Sequence, residues 1–228
     1  MRFRILGKDL TSAEKFQLFL IFLLQASLAG AALWALFGEQ WITLFVSLFA
    51  LGSTLIPFIF LKQHYGLVFP VEFEFAIVAF IYASLFLGEV GGYYDRFWWW
   101  DMVLHGASGF ALGFAGFLIL YVLYVSGKIM VGPFLFALFT FSFALSLGAL
   151  WEIFEFTMDT FLDMNMQRRE TGVIDTMLDL VVDAIGAFIA AVLGFEFIRQ
   201  KQKGVSGRNP FHFLVSKFFK RNPWIERR

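Results

Sequence analysis

The sequence has no cysteine. Disulfides, thiolate metal sites and cysteine nucleophiles are therefore excluded, and no redox compartment can be read. Charge is also scarce. Asp, Glu, Lys and Arg make up 16% of the 228 residues, against about a quarter in a soluble domain. Acids and bases balance to a formal net charge of zero, so bulk charge offers no footing for a nucleic-acid partner. No internal repeat at a fixed period and no low-complexity linker divides the chain. What fills it instead is apolar surface: 59% of residues are hydrophobic, with 33 Phe and 7 Trp. A water-soluble core of this size could not bury so much. The composition predicts an all-α polytopic membrane bundle in which the lipid bilayer is the first partner. The length suits about six transmembrane helices with short connections.

A spanning helix needs about 20 mostly apolar residues. Runs that qualify lie at about 16–37, 41–61, 69–87, 98–125, 133–157 and 173–198. Thr11-Ser12-Ala13-Glu14 ahead of the first run has the form of a capping box. The small residues Ala29-Gly30-Ala31 would also suit a cleaved signal peptide. The run is longer than a signal core, however, and more spans follow. Lys62-Gln63-His64 close the second run, and Pro70 stands near the start of the third. The fourth opens in Phe97-Trp98-Trp99-Trp100, and the fifth at Pro133, a favoured first-turn residue. Residues 199–228 are a basic tail. In it Phe211, Leu214, Val215 and Phe218 recur at helical spacing among Lys217, Lys220 and Arg221. That pattern suits an amphipathic helix on an anionic inner leaflet; a disordered basic tail is the alternative.

Orientation follows from the distribution of Lys and Arg. The N-terminal segment, the 62–67 and 126–131 loops and the tail together hold fifteen of the 18. The opposite side holds Arg96, Arg168 and Arg169. The positive-inside rule then predicts a multi-pass protein of the plasma or inner membrane with both termini cytoplasmic. Trp98, Trp99 and Trp100 form an outer aromatic belt in this arrangement.

Ionisable residues inside spans are costly and are functional candidates by default. The fourth span carries Asp101 and His105. The fifth carries Glu152 and Glu155, with Asp159 at its end, and the sixth carries Asp175, Asp179 and Asp183. Spacings of three, four and seven residues put each set on one helix face. With the predicted topology, His105 lies about 6 Å deeper than Asp101, Glu152 about 10 Å below Asp159, and Asp183 about 12 Å below Asp175. All three stripes then occupy the outer half of the membrane. Seven carboxylates and one imidazole cannot all be ionised and unpaired there. Protons, a metal ion or a cationic substrate must answer them, with Arg168 and Arg169 covering the mouth. The donor set suits a hard divalent ion such as Mg²⁺, Mn²⁺, Fe²⁺ or Zn²⁺. Bland readings compete. Asp159 and Asp175 suit wet helix ends, Asp101 an interfacial cap, and the remainder a protonated packing network. Glu72 and Glu74 sit in a first turn, where the helix dipole favours acids, and lie outside the site. Gly106, Ser108, Gly109 and Gly113 in the fourth span and Gly186, Ala187, Ala190 and Ala191 in the sixth predict that these two helices touch below the pocket.

The segments Trp100-Asp101-Met102-Val103-Leu104-His105-Gly106, Leu150-Trp151-Glu152-Ile153-Phe154-Glu155-Phe156, Asp175-Thr176-Met177-Leu178-Asp179 and Ile185-Gly186-Ala187 carry a family resemblance. Their order resembles the YjdF-like family of uncharacterised bacterial and archaeal inner-membrane proteins, over about residues 70–195. More loosely it resembles VanZ-like membrane proteins, in which an Asn is more usual at the position of Asp183. The resemblance implies a polytopic membrane fold and reinforces the stripes, but it brings no established reaction. The spacing Asp175-x₃-Asp179-x₃-Asp183 also echoes half of the CDP-alcohol phosphotransferase pattern, whose other half is missing.

The resulting expectation is an intramembrane metal-dependent enzyme acting on a lipid or lipid-linked group at the outer leaflet. Asp101, His105, Glu152, Asp179 and Asp183 are its expected metal ligands, Glu155 its general base, and Arg168 or Arg169 its phosphate contact. A proton- or cation-coupled transporter is the alternative, disfavoured by the apolar inner halves of the fourth and sixth spans. A non-catalytic scaffold or sensor is the third reading.

Overall fold

The computed structural model describes residues 10–162, 166–167, 172–205 and 209–225. Every regular element among them is helical, and six helices are long and apolar enough to cross a membrane, as the composition predicts. In order they are α1 (Ser12–Phe37), α2 (Trp41–Tyr65), α3 (Val71–Ile81), which continues as a π-helix over Tyr82–Val90, the single turn α4 (Tyr93–Arg96), α5 (Trp100–Val125), α6 (Pro133–Leu162), α7 (Val173–Gln202) and α8 (Pro210–Arg221).

Local chemistry explains most of the boundaries. The capping box forms: the Glu14 amide donates to Thr11 Oγ1 at 3.2 Å, and the Thr11 amide donates to Glu14 Oε2 at 2.9 Å. Two otherwise orphaned N–H groups are thereby satisfied where the chain begins α1. α2 tolerates Pro57 and ends at Gly66, whose left-handed φ of 65° lets its N–H turn back to the last carbonyls. Pro133 opens α6. Several boundaries differ from the sequence expectation: α1 begins at Ser12, and α2, α6 and α7 run on to Tyr65, Leu162 and Gln202. The third span turns π-helical after Ile81, a widening that its apolar spacing does not signal. The fourth begins at Trp100, because Phe97 is extended at φ −126° and ψ 102° and ends α4.

The chain divides into two compact units, Met1–Trp98 and Trp99–Arg228. In the first, α1 packs on α2 and α3, and α2 packs on the π-helix. Ile21, Val71 and Val78 form its core, with Leu18, Leu24, Phe58 and Phe75 against them. Gln25 Nε2 donates to Thr54 Oγ1 at 3.3 Å, and the Ser27 hydroxyl donates to the Tyr82 hydroxyl at 3.2 Å. In the second unit α7 packs on both α5 and α6, which also pack on each other. The outward sides of both units carry large apolar residues, among them Phe22, Trp34, Phe37, Ile42, Ile153, Phe156 and Phe188. Faces of this kind call for hydrocarbon around them.

α5 and α7 meet backbone to backbone. A Cβ on Gly109 would strike the Asp183 carbonyl oxygen and lie 3.0 Å from Asp183 Cα. One on Gly186 would strike the Gly106 carbonyl and lie 2.8 Å from the Phe110 amide nitrogen. These are the small-residue surfaces expected to touch. Farther along, Phe117, Phe136, Tyr121 and Phe197 fill the space between α5, α6 and α7. α8 buries Phe211, Val215, Phe218 and Phe219. Phe211 stands 5.0 Å from Phe114 and 4.9 Å from Phe117, ring to ring. Asn209, the N-cap of α8, donates from Nδ2 to the Leu193 carbonyl of α7 at 2.7 Å.

The contact between α5 and α7 has a direct test. Gly109→Ala and Gly186→Ala should each destabilise the detergent-solubilised protein by about 1–3 kcal/mol through overpacking. Gly30→Ala, where nothing lies within 4 Å of the new methyl, should be neutral or slightly stabilising. Equal melting temperatures for all three would show that α5 and α7 do not meet at these glycines.

Candidate functional site

Three helices deliver the ionisable stripes to one place in the second unit. Asp101 and His105 stand one turn apart on α5, Glu152 and Glu155 on α6, and Asp179 and Asp183 on α7. His105 is the hub. Its Nε2 lies 3.7 Å from Asp101 Oδ1 and 3.8 Å from Glu152 Oε1. Its Nδ1 lies 3.3 Å from Asp183 Oδ2, within hydrogen-bond range. Asp101, His105 and Asp179 each offer a ligand atom within 4.8 Å of the others. His105, Glu152, Asp179 and Asp183 are buried, and Asp101 is partly so.

The two ring nitrogens have different surroundings. A carboxylate accepting from Nδ1–H selects the tautomer that leaves a lone pair on Nε2. Asp183 is itself held in place. The Ser108 hydroxyl lies 3.2 Å from its Oδ1 and 2.8 Å from the His105 carbonyl. Gly148 of α6 leaves room for the Asp183 carboxyl, since a Cβ there would strike Oδ2 and lie 3.0 Å from Cγ. On the Nε2 side no such support exists for Glu152. It is 4% exposed, and neither carboxylate oxygen has a hydrogen-bond partner among the described residues. Thr176 of α7 lines a cavity with it. Thr176 Oγ1 accepts from Gln167 Nε2 at 2.8 Å. Buried carboxylate oxygens without donors are rare and mark a place where a cation or proton belongs.

The other acids stand apart from this knot. Glu155 accepts from the Trp151 indole N–H at 2.8 Å and is half-buried one turn along α6 from Glu152. Asp159 accepts the backbone N–H groups of Met166 at 2.6 Å and Gln167 at 2.8 Å, which ties the start of the α6–α7 connection to α6. Asp175 lies in the first turn of α7. Arg168 and Arg169 fall outside the described residues. Four participants were not among the expected site residues: Ser108 and Gly148 beside Asp183, Thr176 near Glu152, and Trp151 beside Glu155, four positions before it. The signal for the others was also spacing. Ser108 follows His105 by three, Gly148 precedes Glu152 by four, and Thr176 precedes Asp179 by three, so each shares a face with an acid or the imidazole.

A cavity of about 460 Å³ lies between α6 and α7 and reaches Glu152 and Thr176. The rest of its lining is chiefly apolar, from Ala149, Ile153, Phe156, Met177 and Leu180. It therefore joins a polar end at the cluster to a wall suited to hydrocarbon.

The supports of Asp183 can be graded. Ser108→Ala should cost about 0.5–1.5 kcal/mol by removing one hydrogen bond. Gly148→Ala should cost more, about 1–3 kcal/mol, because its methyl invades the carboxylate's space. Chemical denaturation of the detergent-solubilised variants measures both. A neutral Gly148→Ala would mean that Asp183 does not lie against α6.

Comparison with known proteins bears on the whole span of helices. A family model described as a predicted membrane protein, DUF2238, matches residues 18–200. A protein of Thermotoga maritima named "Uncharacterized protein" is 30% identical over 128 residues, 54% of this chain. The match takes in 61% of that relative, so the chain spans about three-fifths of its length. No solved structure matches.

Proposed function

The chain belongs to the DUF2238 family of predicted membrane proteins, the same family as the YjdF-like proteins its motif order resembles, and on that premise we propose that the cluster on α5, α6 and α7 is the divalent-metal centre of an intramembrane enzyme acting on a lipid or lipid-linked group. One observation carries the reading. Among the described residues neither oxygen of the buried Glu152 has a hydrogen-bond partner, and its Oε1 faces the nitrogen of His105 that also faces Asp101. Separations of 3.7 and 3.8 Å are too long for hydrogen bonds. They leave space between the groups, and ligand atoms within 4.8 Å of one another would have to draw together by side-chain movement to share an ion.

In this reading Asp101, His105 Nε2, Glu152 and Asp179 hold the ion. Asp183 serves as a positioning residue that orients the imidazole from behind, as carboxylates do for metal-bound histidines. A divalent ion bound there would supply Lewis acidity toward a phosphoryl or carbonyl oxygen. Glu155, steadied by the Trp151 indole, would be the general base. Arg168 and Arg169 remain the proposed phosphate contacts. The cavity between α6 and α7 supports a substrate that arrives from the hydrocarbon, with its polar group at Glu152 and Thr176 and its chain along the apolar wall. The transporter reading receives less support. Past the cluster, the glycine contact of α5 with α7 and the packed Phe117, Phe136 and Phe197 offer no polar relay within this unit.

The same reading puts both termini in the cytoplasm of a cell whose plasma membrane houses the bundle. Because native cysteine is absent, single cysteines report this cleanly. Asp95→Cys should react with an impermeant maleimide in intact cells, and Lys128→Cys only after the membrane is opened. The reverse pattern would overturn the orientation.

Metal content is the central test. Full-length protein purified in detergent should carry about one equivalent of a divalent ion by inductively coupled plasma mass spectrometry. His105→Ala and the pair Glu152→Gln/Asp179→Asn should lose it. Asp183→Asn should retain a centre weakened about 10–100-fold, as expected for an orienting partner. Asp159→Ala, which touches only the α6–α7 connection, should bind as the wild type. Absence of metal under several purification conditions, with function intact in the His105 and Asp179 variants, would sink the metal reading. It would leave the network as a scaffold.

A further inference from the structure

At the far end of the second unit lies a cavity of opposite chemistry, independent of the metal reading. It measures about 370 Å³, is open on one side, and is lined by α5 at Tyr121, α7 at Phe197 and Lys201, the turn at Gly204 and Val205, and α8 from His212 to Phe219. Its one charged lining group is a cation. Lys201 Nζ donates to the Tyr121 hydroxyl and sits 4.7 Å above the centre of that ring. Tyr121 is 3% exposed, so the phenol is a fixed floor. The proton of its hydroxyl finds no acceptor among the described residues. No carboxylate among the described residues lies within 4.0 Å of Lys201; the neighbouring acid Glu196 pairs with Arg199 at 3.3 Å. His212 stacks on Phe197 with ring centres 4.5 Å apart, and its Nε2 is buried without a partner. Burial, and secondarily the Lys201 charge, hold its pKa below the ordinary value. Between residues 196 and 222 the sequence places Arg199, Lys201, Lys203, Arg208, Lys217, Lys220 and Arg221 against the single acid Glu196.

Among the described residues no carboxylate answers the Lys201 charge, and the Tyr121 hydroxyl proton points to no acceptor, so an anion would complete the site. The remaining walls, from Phe197, Val205, Val215 and Phe219, are apolar. They would suit a ligand whose charged group continues into something less polar. We propose that this cavity binds a phosphate oxyanion through Lys201 and the Tyr121 hydroxyl, with His212 beside it. Basic pockets between helices near a membrane surface take lipid headgroups in this way. A lipid phosphate and a free phosphate share the chemistry, and the experiment separates them.

Full-length protein in detergent is titrated with phosphatidylglycerol in one arm and with inorganic phosphate in the other. Binding is read as a shift in melting temperature and, for the lipid, as retained adducts in native mass spectrometry. Lys201→Met should weaken binding about tenfold and Tyr121→Phe by a few-fold, the latter keeping the ring on which α7 and α8 pack. Lys201→Arg should restore most of the loss. Lys217→Met, outside the cavity, should have little effect. A response to the lipid alone assigns a headgroup site, and one to phosphate alone assigns a soluble anion. Binding by Lys201→Met at wild-type strength, or equal losses in Lys201→Met and Lys217→Met, would overturn the proposal. So would the absence of any response to either ligand. If Lys201→Met fails to fold, Tyr121→Phe decides, since unaltered binding there is incompatible with a phenol donor.

Discussion

The distance between α5 and α7 governs the chemistry of the second unit. Where Gly109 faces Asp183 and Gly186 faces Gly106, nothing but backbone separates the two helices. Lipid tails are as apolar as leucine, so helices in a bilayer gain little from hydrophobic burial and associate through packing. Polar contacts between membrane helices average only roughly 0.6 kcal/mol, whereas one forced methyl in a tight contact costs about 1–3 kcal/mol. Sterics therefore set the spacing, and the polar network follows from it. With α5 and α7 this close, Asp183 has one place to go. It lies under the His105 ring, against Gly148 of the third helix and within reach of Ser108.

That placement divides the imidazole into a supported side and an expectant side. Nδ1 has its carboxylate, whereas Nε2 looks toward Asp101 and Glu152 at distances too long for hydrogen bonds. Asp101, Glu152, Asp179 and Asp183 bring several acceptors to one imidazole. An uncompensated buried charge costs several kcal/mol, so protons or a cation must answer those that lack a partner. Under the proposed function a divalent ion would satisfy several of them at once. The role of Asp183 also becomes distinct from that of its neighbours, because it is the one acid committed to the back of the ring.

Much of this was legible before any coordinates. The six spans follow from run length, the start of α1 from Thr11 and Glu14, and the start of α6 from Pro133. The small residues of α5 and α7 announced their contact, and the stripes followed from spacings of three and four. Other features were not legible, and for different reasons. The π-helix after Ile81 is a local choice that apolar spacing does not encode. The tie from Asp159 to the Met166 and Gln167 amides depends on where the chain turns after α6. The separation of Asp183 from the other acids depends on the relative rotation of three helices. No single helix carries that information. Gly148 is the clearest case, since within α6 it looks like one more small residue and only the neighbouring carboxylate gives it a purpose.

The unit carries acids around His105 at one end and the Lys201 cation at the other, with packed aromatics between them. His105 and Tyr121 lie sixteen positions apart on α5, about 24 Å along the helix. Phe117, Phe136 and Phe197 fill part of that length, and α8 adds Phe211 to the same layer. Such a layer separates the two ends within this unit. Each end must then be served from its own side. For the acidic end, the opening described by the structure lies between α6 and α7, where Ile153, Phe156 and Met177 are exposed on a surface that calls for lipid. A polar solute would have to cross apolar wall to reach Glu152 by that route. A molecule with a hydrocarbon chain would lie along the wall and bring its polar group to the carboxylate, which is the arrangement the proposed lipid substrate requires.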